Sequence, residues 1–218
     1  MTSPLKVPKA LIFDMDGVLV DSEPLHKRAK QMAFQEAGIH FPEETYDSYK
    51  GRPDTTMFHE VLAGRSVDDI AELLHRKHQH FEKIEHELQG IPGAVDFVKW
   101  AAARYRLALA TSATPRNRAA ALQSLGIADC FESLVDTARF ERPKPDPEIF
   151  QVAMQDLKLN PADCWIIEDS LPGVRAGKAA GCITVGITTT FDSASLSTAG
   201  ADVIVKSFRE LRTVLENL

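Results

Sequence analysis

Cysteine is scarce in this chain. Its 218 residues hold three, Cys130, Cys164 and Cys182, far apart and with no C-x-x-C pair. Neither a disulfide framework nor a thiolate metal knuckle is expected from that pattern. Free thiols in a reducing, cytoplasmic compartment are. Long apolar runs are missing as well. No stretch suits a bilayer span, so no membrane partner is expected. The opening M-T-S-P-L-K-V-P-K has no apolar segment of the kind a signal peptide needs. A basic excess is also lacking: 31 acidic residues against 25 Lys and Arg leave a formal charge of −6. Such a chain gains nothing from phosphate-backbone attraction, so nucleic acid is not an expected partner. A phosphorylated substrate would have to be held locally, by a metal ion or a few placed cations. There are no repeats, no low-complexity segments and no patch assignable to a second copy, and a monomer is expected.

What is present is enough apolar material for a sizeable core, with 44% hydrophobic residues. Ala10–Phe13 is a short apolar run that stops at Asp14 and Asp16, as a buried parallel strand would. Further runs follow at 107–111, 133–135, 165–167, 182–187 and 202–205. Helical patterns lie between them. Arg116 to Leu125 precedes Gly126, a C-cap signal. Pro147 to Leu157 follows Asp146 as N-cap, with the proline at the first helical position. Leu171 to Ala180 ends at Gly181, and Phe208 to Leu218 closes the chain. Strand and helix in alternation predict an α/β, doubly wound, parallel Rossmann-like core. The stretch 22–90 breaks the alternation. Leu25, Ala29, Met32, Ala33 and Ala37 recur at helical spacing before Gly38, and a long charged helix, or a broken pair, is expected from Val67 to about Leu88. The predicted organisation is a core of 1–21 and 91–218 with an inserted helical domain at 22–90. The string Gly90-Ile91-Pro92-Gly93 is expected to be the return hinge.

Parallel α/β sheets bind ligands outside the carboxyl ends of their strands. Several polar residues fall at those ends: Asp14 and Asp16, then Thr111 and Ser112, then Lys144 in R-P-K-P-D-P, then Glu168 and Asp169. Four carboxylates in one pocket raise one another's pKa values, and a divalent cation relieves the repulsion. All-oxygen ligation suits Mg²⁺. Asp14 can act as nucleophile toward phosphorus. Lys144 and the cation would spread over the transferring oxygens. Ser112, with neighbouring backbone N–H groups such as that of Ala113, could bind those oxygens. Asp16 could protonate the leaving oxygen and later deprotonate a water.

The string D-M-D-G-V-L-V-D-S-E-P-L-H, the S/T after the second long strand, the K-P-D-P loop and E-D-S-x-x-G come in one order over nearly the whole chain. Together they resemble the haloacid dehalogenase superfamily, in its β-phosphoglucomutase-like branch of phosphatases and mutases. The resemblance implies a Rossmann-like core with a mobile helical cap that closes over the substrate. It makes Asp14 the nucleophile and Asp16 the acid/base. Ser112 and Lys144 bind the reacting phosphate. Asp14, the backbone carbonyl of Asp16, Asp169 and Glu168 hold Mg²⁺. The choice between Thr111 and Ser112 stays open, with Ser112 favoured because Thr111 fits as the last strand residue. The resemblance also offers His26 as a coupler of cap closure to catalysis, and Arg52, with Lys50 behind it, for a distal phosphate.

Blander explanations compete. Paired acids before glycine are often only a turn, and His26 and Arg52 could be ordinary surface residues. His75, His78, His80 and His86 read as a solvated helix rather than a metal site, since His80 points away from His75 and His78. Gly173 to Gly181 superficially resembles a Walker loop but is one residue short and lacks the hydroxyl after lysine. Its small residues suit close packing on the sheet. Three functions follow: a phosphatase of a small phosphorylated metabolite, a sugar-phosphate mutase, and a non-enzymatic phosphoacceptor domain. A phosphoacceptor domain needs neither the helical insert nor Asp16, and ranks last. Hydrolysis, of a sugar phosphate in the first instance, is preferred over mutase chemistry.

Overall fold

Ala10–Phe13 forms β1, and all four of its residues are buried. The computed structural model describes residues 5–49 and 54–218. After β1 the chain turns through Gly17 into a two-residue strand β2 (Val20–Asp21). Four helices follow: α1 (Glu23–Glu36), α2 (Glu43–Ser48), α3 (Asp54–Val61) and α4 (Val67–Ile84). The chain returns through β3 (Gln89–Gly90), which pairs antiparallel with β2. It then alternates: α5 (Ala94–Ala102), β4 (Arg106–Ala110), α6 (Pro115–Leu125), β5 (Ser133–Val135), α7 (Glu148–Leu157) and β6 (Cys164–Glu168). It ends with α8 (Leu171–Ala179), β7 (Ile183–Ile187), α9 (Ser193–Ala199), β8 (Val203–Val205) and α10 (Phe208–Glu216).

The six longer strands form one parallel sheet in the order β5-β4-β1-β6-β7-β8. This is the α/β doubly wound fold that the alternation predicts. The sequence progresses from β1 outward through β4 and β5, then restarts at β6 on the other side. The reversal makes a switch point between β1 and β6, where a crevice opens at the carboxyl ends.

Side chains alternate across β1. Ala10 and Ile12 join Ala108, Ala110, Val135 and Ile166 under α7, where Phe150, Ala153 and Leu157 are buried. Phe13 lies on the opposite face and meets Phe97 and Phe131 edge to face, each at 6.1 Å. Burying side chains of this size contributes roughly 1.5–3 kcal/mol each. Small residues let α8 approach closely: a Cβ on Gly177 would stand 2.6 Å from Thr184 Oγ1.

Contacts divide the chain into Met1–Asp21 with Gln89–Leu218, and Ser22–Leu88. The return point falls at Leu88, two residues before the expected one, because Gln89 and Gly90 are strand partners of Asp21 and Val20. Within the helical unit, Phe34 of α1 packs with Met57 and Phe58 of α3 and with Ile70 and Leu73 of α4. The α4 helix ends at Ile84, and a 3₁₀ turn covers Glu85–Glu87. Its inward stripe includes Lys77 and His80, both buried. His80 is therefore not solvated as expected; its Nε2 lies 3.0 Å from Glu36 Oε2. Among the described residues no helix is long and apolar enough to cross a membrane.

One helix start and one strand end differ by a residue from expectation. The α7 helix begins at Glu148 rather than Pro147, and Asp146 Oδ1 still accepts the Glu148 N–H at 3.0 Å. The β4 strand stops at Ala110, so Thr111 lies just beyond it.

Candidate active site

Three strand ends and one loop build the site. Asp14 follows β1 and its N–H donates to Ile167 O at 3.0 Å, which ties it to the end of β6. Glu168 is the last residue of β6 and is fully buried. Asp169 follows it and is buried too. Lys144 comes from the loop between β5 and α7. Its Nζ donates to Asp14 Oδ1 at 2.5 Å, to Glu168 Oε1 at 2.7 Å and to Ala110 O at 3.3 Å.

Glu168 is occupied on both oxygens. While Oε1 takes Lys144, Oε2 accepts the N–H of Asp169 at 3.1 Å, the N–H of Ser170 at 3.2 Å and the Ser170 hydroxyl at 2.9 Å. Ser170 also caps α8, where its Oγ accepts the Gly173 N–H at 3.1 Å. A Cβ on Gly173 would fall 1.9 Å from Glu168 Oε1, so glycine leaves the space that the carboxylate fills. Gly17 does the same for Asp169: it has φ 76°, and a Cβ there would lie 1.9 Å from Asp169 Oδ2. The two glycines and Ser170 stand in the D-M-D-G and E-D-S-x-x-G strings without a role readable there, and the T-T-T loop after β7 was not singled out, because small neutral residues carry no chemical signature of their own.

The electrostatics are those of a site short of positive charge. Burial pushes the Asp14 carboxyl from an ordinary 3.8 to about 7, with Glu168 and Asp16 adding to the rise and Lys144 opposing it. Burial, then Glu168 and Asp14, hold Asp169 well above the ordinary carboxylate range. Burial alone would depress Lys144, but Asp14 and Glu168 override it and hold the ammonium well above its usual value. Oxygen atoms of Asp14, Glu168 and Asp169 lie within 4.8 Å of one another. Three ionised carboxylates and one ammonium leave two negative charges. A buried, all-oxygen cluster with that residual charge fits a divalent cation of the Mg²⁺ type. Asp16 is half-buried and bridges to Val20, and its carboxylate is not part of that cluster.

Thr111 is buried, and its Oγ1 accepts the Ala113 N–H at 3.0 Å. Ser112 is exposed. Since β4 ends at Ala110, the ground for preferring Ser112, that Thr111 finishes the strand, does not hold. Both hydroxyls stand beyond the strand end. Ala113 is anchored further by its carbonyl, which accepts the Thr137 N–H at 3.2 Å.

In the helical unit His26 is half-buried on α1 and stacks on Phe81 at 4.2 Å. Its Nδ1 is 3.0 Å from Lys77 Nζ. A charged lysine has only protons to give, so Nδ1 accepts and the imidazole is neutral. Burial first, then Lys77, hold His26 well below its ordinary pKa. Lys77 and Lys30 share Asp54, at 2.6 and 2.8 Å. Burial would raise Asp54, but the two ammonium groups override it and hold the carboxyl far below its usual range. Lys50 and Arg52 lie outside the described residues.

Comparison with known proteins gives a consistent set of relatives. The profile of the haloacid dehalogenase-like hydrolases matches residues 8–181. The chain is 31% identical to a phosphorylated carbohydrates phosphatase of Thermotoga maritima, covering 96% of this chain and 99% of that one. It is 29% identical to the β-phosphoglucomutase of Bacillus subtilis, covering 93% and 91%. Among solved structures, CbbY of Rhodobacter sphaeroides in complex with phosphate superposes with a TM-score of 0.80 at 28% identity, covering 97% and 100%.

Proposed function

The chain belongs to the haloacid dehalogenase-like hydrolases, and from that premise we propose that it is a Mg²⁺-dependent phosphatase of small phosphorylated carbohydrates working through a phosphoaspartate on Asp14. The observation that carries the reading is the Lys144 ammonium set between Asp14 and Glu168, beside Asp169, at the carboxyl end of β1 and β6. Asp14 and Asp169 would hold the cation with the Asp16 carbonyl. Bound there, it would supply charge neutralisation of the carboxylates and of the substrate phosphate. Glu168 serves mainly as the anchor that aims Lys144, since its oxygens already accept four bonds.

The chemistry then runs in two displacements. An Asp14 oxygen attacks phosphorus, the bond to the sugar oxygen breaks, and Asp16 gives that oxygen its proton. Water next attacks the phosphoaspartate, Asp16 takes the water's proton, and the bond to Asp14 breaks to release phosphate. Lys144 balances charge on the transferring oxygens in both steps. Its double carboxylate contact fixes its position before substrate arrives, so little reorganisation remains for the reaction itself.

A second reading replaces water with a sugar hydroxyl in the second displacement, as a mutase requires. The similarity to a β-phosphoglucomutase and the neutral His26 held by Lys77 favour it. Hydrolysis is preferred because the phosphatase relative matches 96% of the chain, against 93% for the mutase, at slightly higher identity. The deciding assay presents the purified protein and Mg²⁺ with a panel of sugar phosphates and follows both free phosphate and isomer. Phosphate release is expected. Conversion of β-glucose 1-phosphate that needs a bisphosphate primer and frees little phosphate would establish the mutase instead.

A further inference from the structure

The loop after β7 reads Thr188-Thr189-Thr190, with no charge and no family motif. It nevertheless reaches both halves of the acidic site. The Thr189 hydroxyl donates to Gly17 O at 2.5 Å. The Thr190 hydroxyl stands beside the Asp169 carboxylate. Thr190 Oγ1 and Asp169 Oδ2 converge over the same glycine: a Cβ at Gly17 would stand 2.9 Å from the first and 1.9 Å from the second. The loop is itself anchored at its root, where the Thr188 N–H donates to Val205 O and the Thr189 N–H to Ile187 O, each at 3.0 Å. The turn it holds is closed from the other side by the Gly17 N–H, which donates to Val20 O at 2.8 Å.

We infer that Thr189 and Thr190 are positioning residues for the cation site, Thr190 by orienting the Asp169 carboxylate and Thr189 by fixing the peptide turn that follows Asp16. The inference rests on the reading that Asp169 and the Asp16 carbonyl hold the cation. A carboxylate that must present one oxygen to a metal gains from a fixed donor on its other side, because rotation of the free carboxylate is then already restricted. A hydroxyl suits that place, since it donates without adding a charge that would compete with the cation. The two threonines act on different segments, so one rigid loop registers the end of β1 against the end of β6 across the switch point.

The test titrates the full-length protein with Mn²⁺, with no substrate present, and reads free Mn²⁺ by electron paramagnetic resonance. Thr190→Val keeps the shape and removes the donor. It should weaken Mn²⁺ binding about 10- to 100-fold, the usual range for a lost partner of a metal ligand. Thr190→Ser should restore affinity to within a few-fold of wild type, and Thr189→Val should show a smaller loss. Melting in EDTA should be nearly unchanged in all three. Wild-type affinity in Thr190→Val, or a loss that serine does not repair, would overturn the inference while leaving the proposed function standing. So would a loss matched by lower stability in EDTA, which would mean a structural role alone. Absence of Mn²⁺ binding in the wild type would overturn the cation reading and this inference together.

Discussion

Gly173→Ala sets two effects of opposite sign against each other. Gly173 lies in the first turn of α8, where alanine has the better helix propensity by roughly 1 kcal/mol. Propensity alone predicts a stabilised protein. The added Cβ, however, would lie 1.9 Å from both Cδ and Oε1 of Glu168 and 2.2 Å from Oε2. A side-chain tip can often swing away cheaply, but this one is fully buried and tied by Lys144, two N–H groups and a hydroxyl. Moving it strands the Lys144 ammonium and the donors of residues 169 and 170. Breaking a buried ion pair costs about 3–5 kcal/mol. Setting about 1 against about 3–5 leaves a net loss of roughly 2–4 kcal/mol. At about 2–4 °C per kcal/mol for a chain of this size, the melting temperature should fall by roughly 4–16 °C. Differential scanning calorimetry in EDTA measures this without interference from metal binding. Turnover should fall as well, because Lys144 loses the anchor that aims it at Asp14. A Gly173→Ala protein that melts at or above the wild-type temperature would refute the account of Glu168 as a pinned anchor.

Asp14→Asn should abolish turnover and the acid-stable trapping of phosphate on the protein while the circular dichroism spectrum is retained; residual phosphoenzyme would point to another nucleophile. Asp16→Ala should lower kcat roughly 10²–10⁴-fold, the usual span for a lost general acid or base, and a loss of only a few-fold in steady-state assays would assign that proton to another group. Thr111→Val and Ser112→Ala, compared by kcat/KM, separate the two hydroxyls; the larger loss is expected at Thr111, whose buried hydroxyl has a fixed position, and a larger loss at Ser112 would reverse that assignment. Mg²⁺ affinity should depend on pH. The folded Asp14 pKa is raised from 3.8 to about 7, so in the metal-free protein this carboxyl holds a proton below 7 that the cation must displace. Affinity is present above that pH and lost as pH falls through it. One such proton makes binding about tenfold tighter at pH 8 than at pH 6. Calorimetric titrations in that range check this, and a constant affinity would contradict the raised carboxyl.

Much of the core was legible because buried strands in a parallel sheet are short apolar runs, and a charged residue at the end of such a run has few places to be except the carboxyl edge. Ala10–Phe13 followed by Asp14, and Trp165–Ile167 followed by Glu168 and Asp169, carry that signal plainly. Lys144 was readable from its prolines and the motif order. What escaped detection depends on distance through space. Glu168 looks like any exposed strand end until its four donors are seen. Thr189 and Thr190 are 172 or more residues from the Gly17 turn they contact, and nothing in T-T-T announces it. The β2 and β3 strands are two residues each, too short for any periodicity. His80 misled for a different reason, one that Lys77 shares. They occupy core-facing positions of α4, and a charged residue there reads as surface unless its partners Asp54 and Glu36 are known.

The small antiparallel pairing of Val20–Asp21 with Gln89–Gly90 means that the chain leaves for its helices and comes back at one spot. An insert whose two ends meet is topologically a bead on a clasp. Closing that clasp with a short turn in place of 22–88 would cost little chain entropy and would leave the register of the six parallel strands untouched. Lengthening, recoding or replacing the insert likewise leaves that register unchanged. A lineage built this way can rework one unit while the strand register of the other is kept, and each of the two sequences can drift under its own constraints.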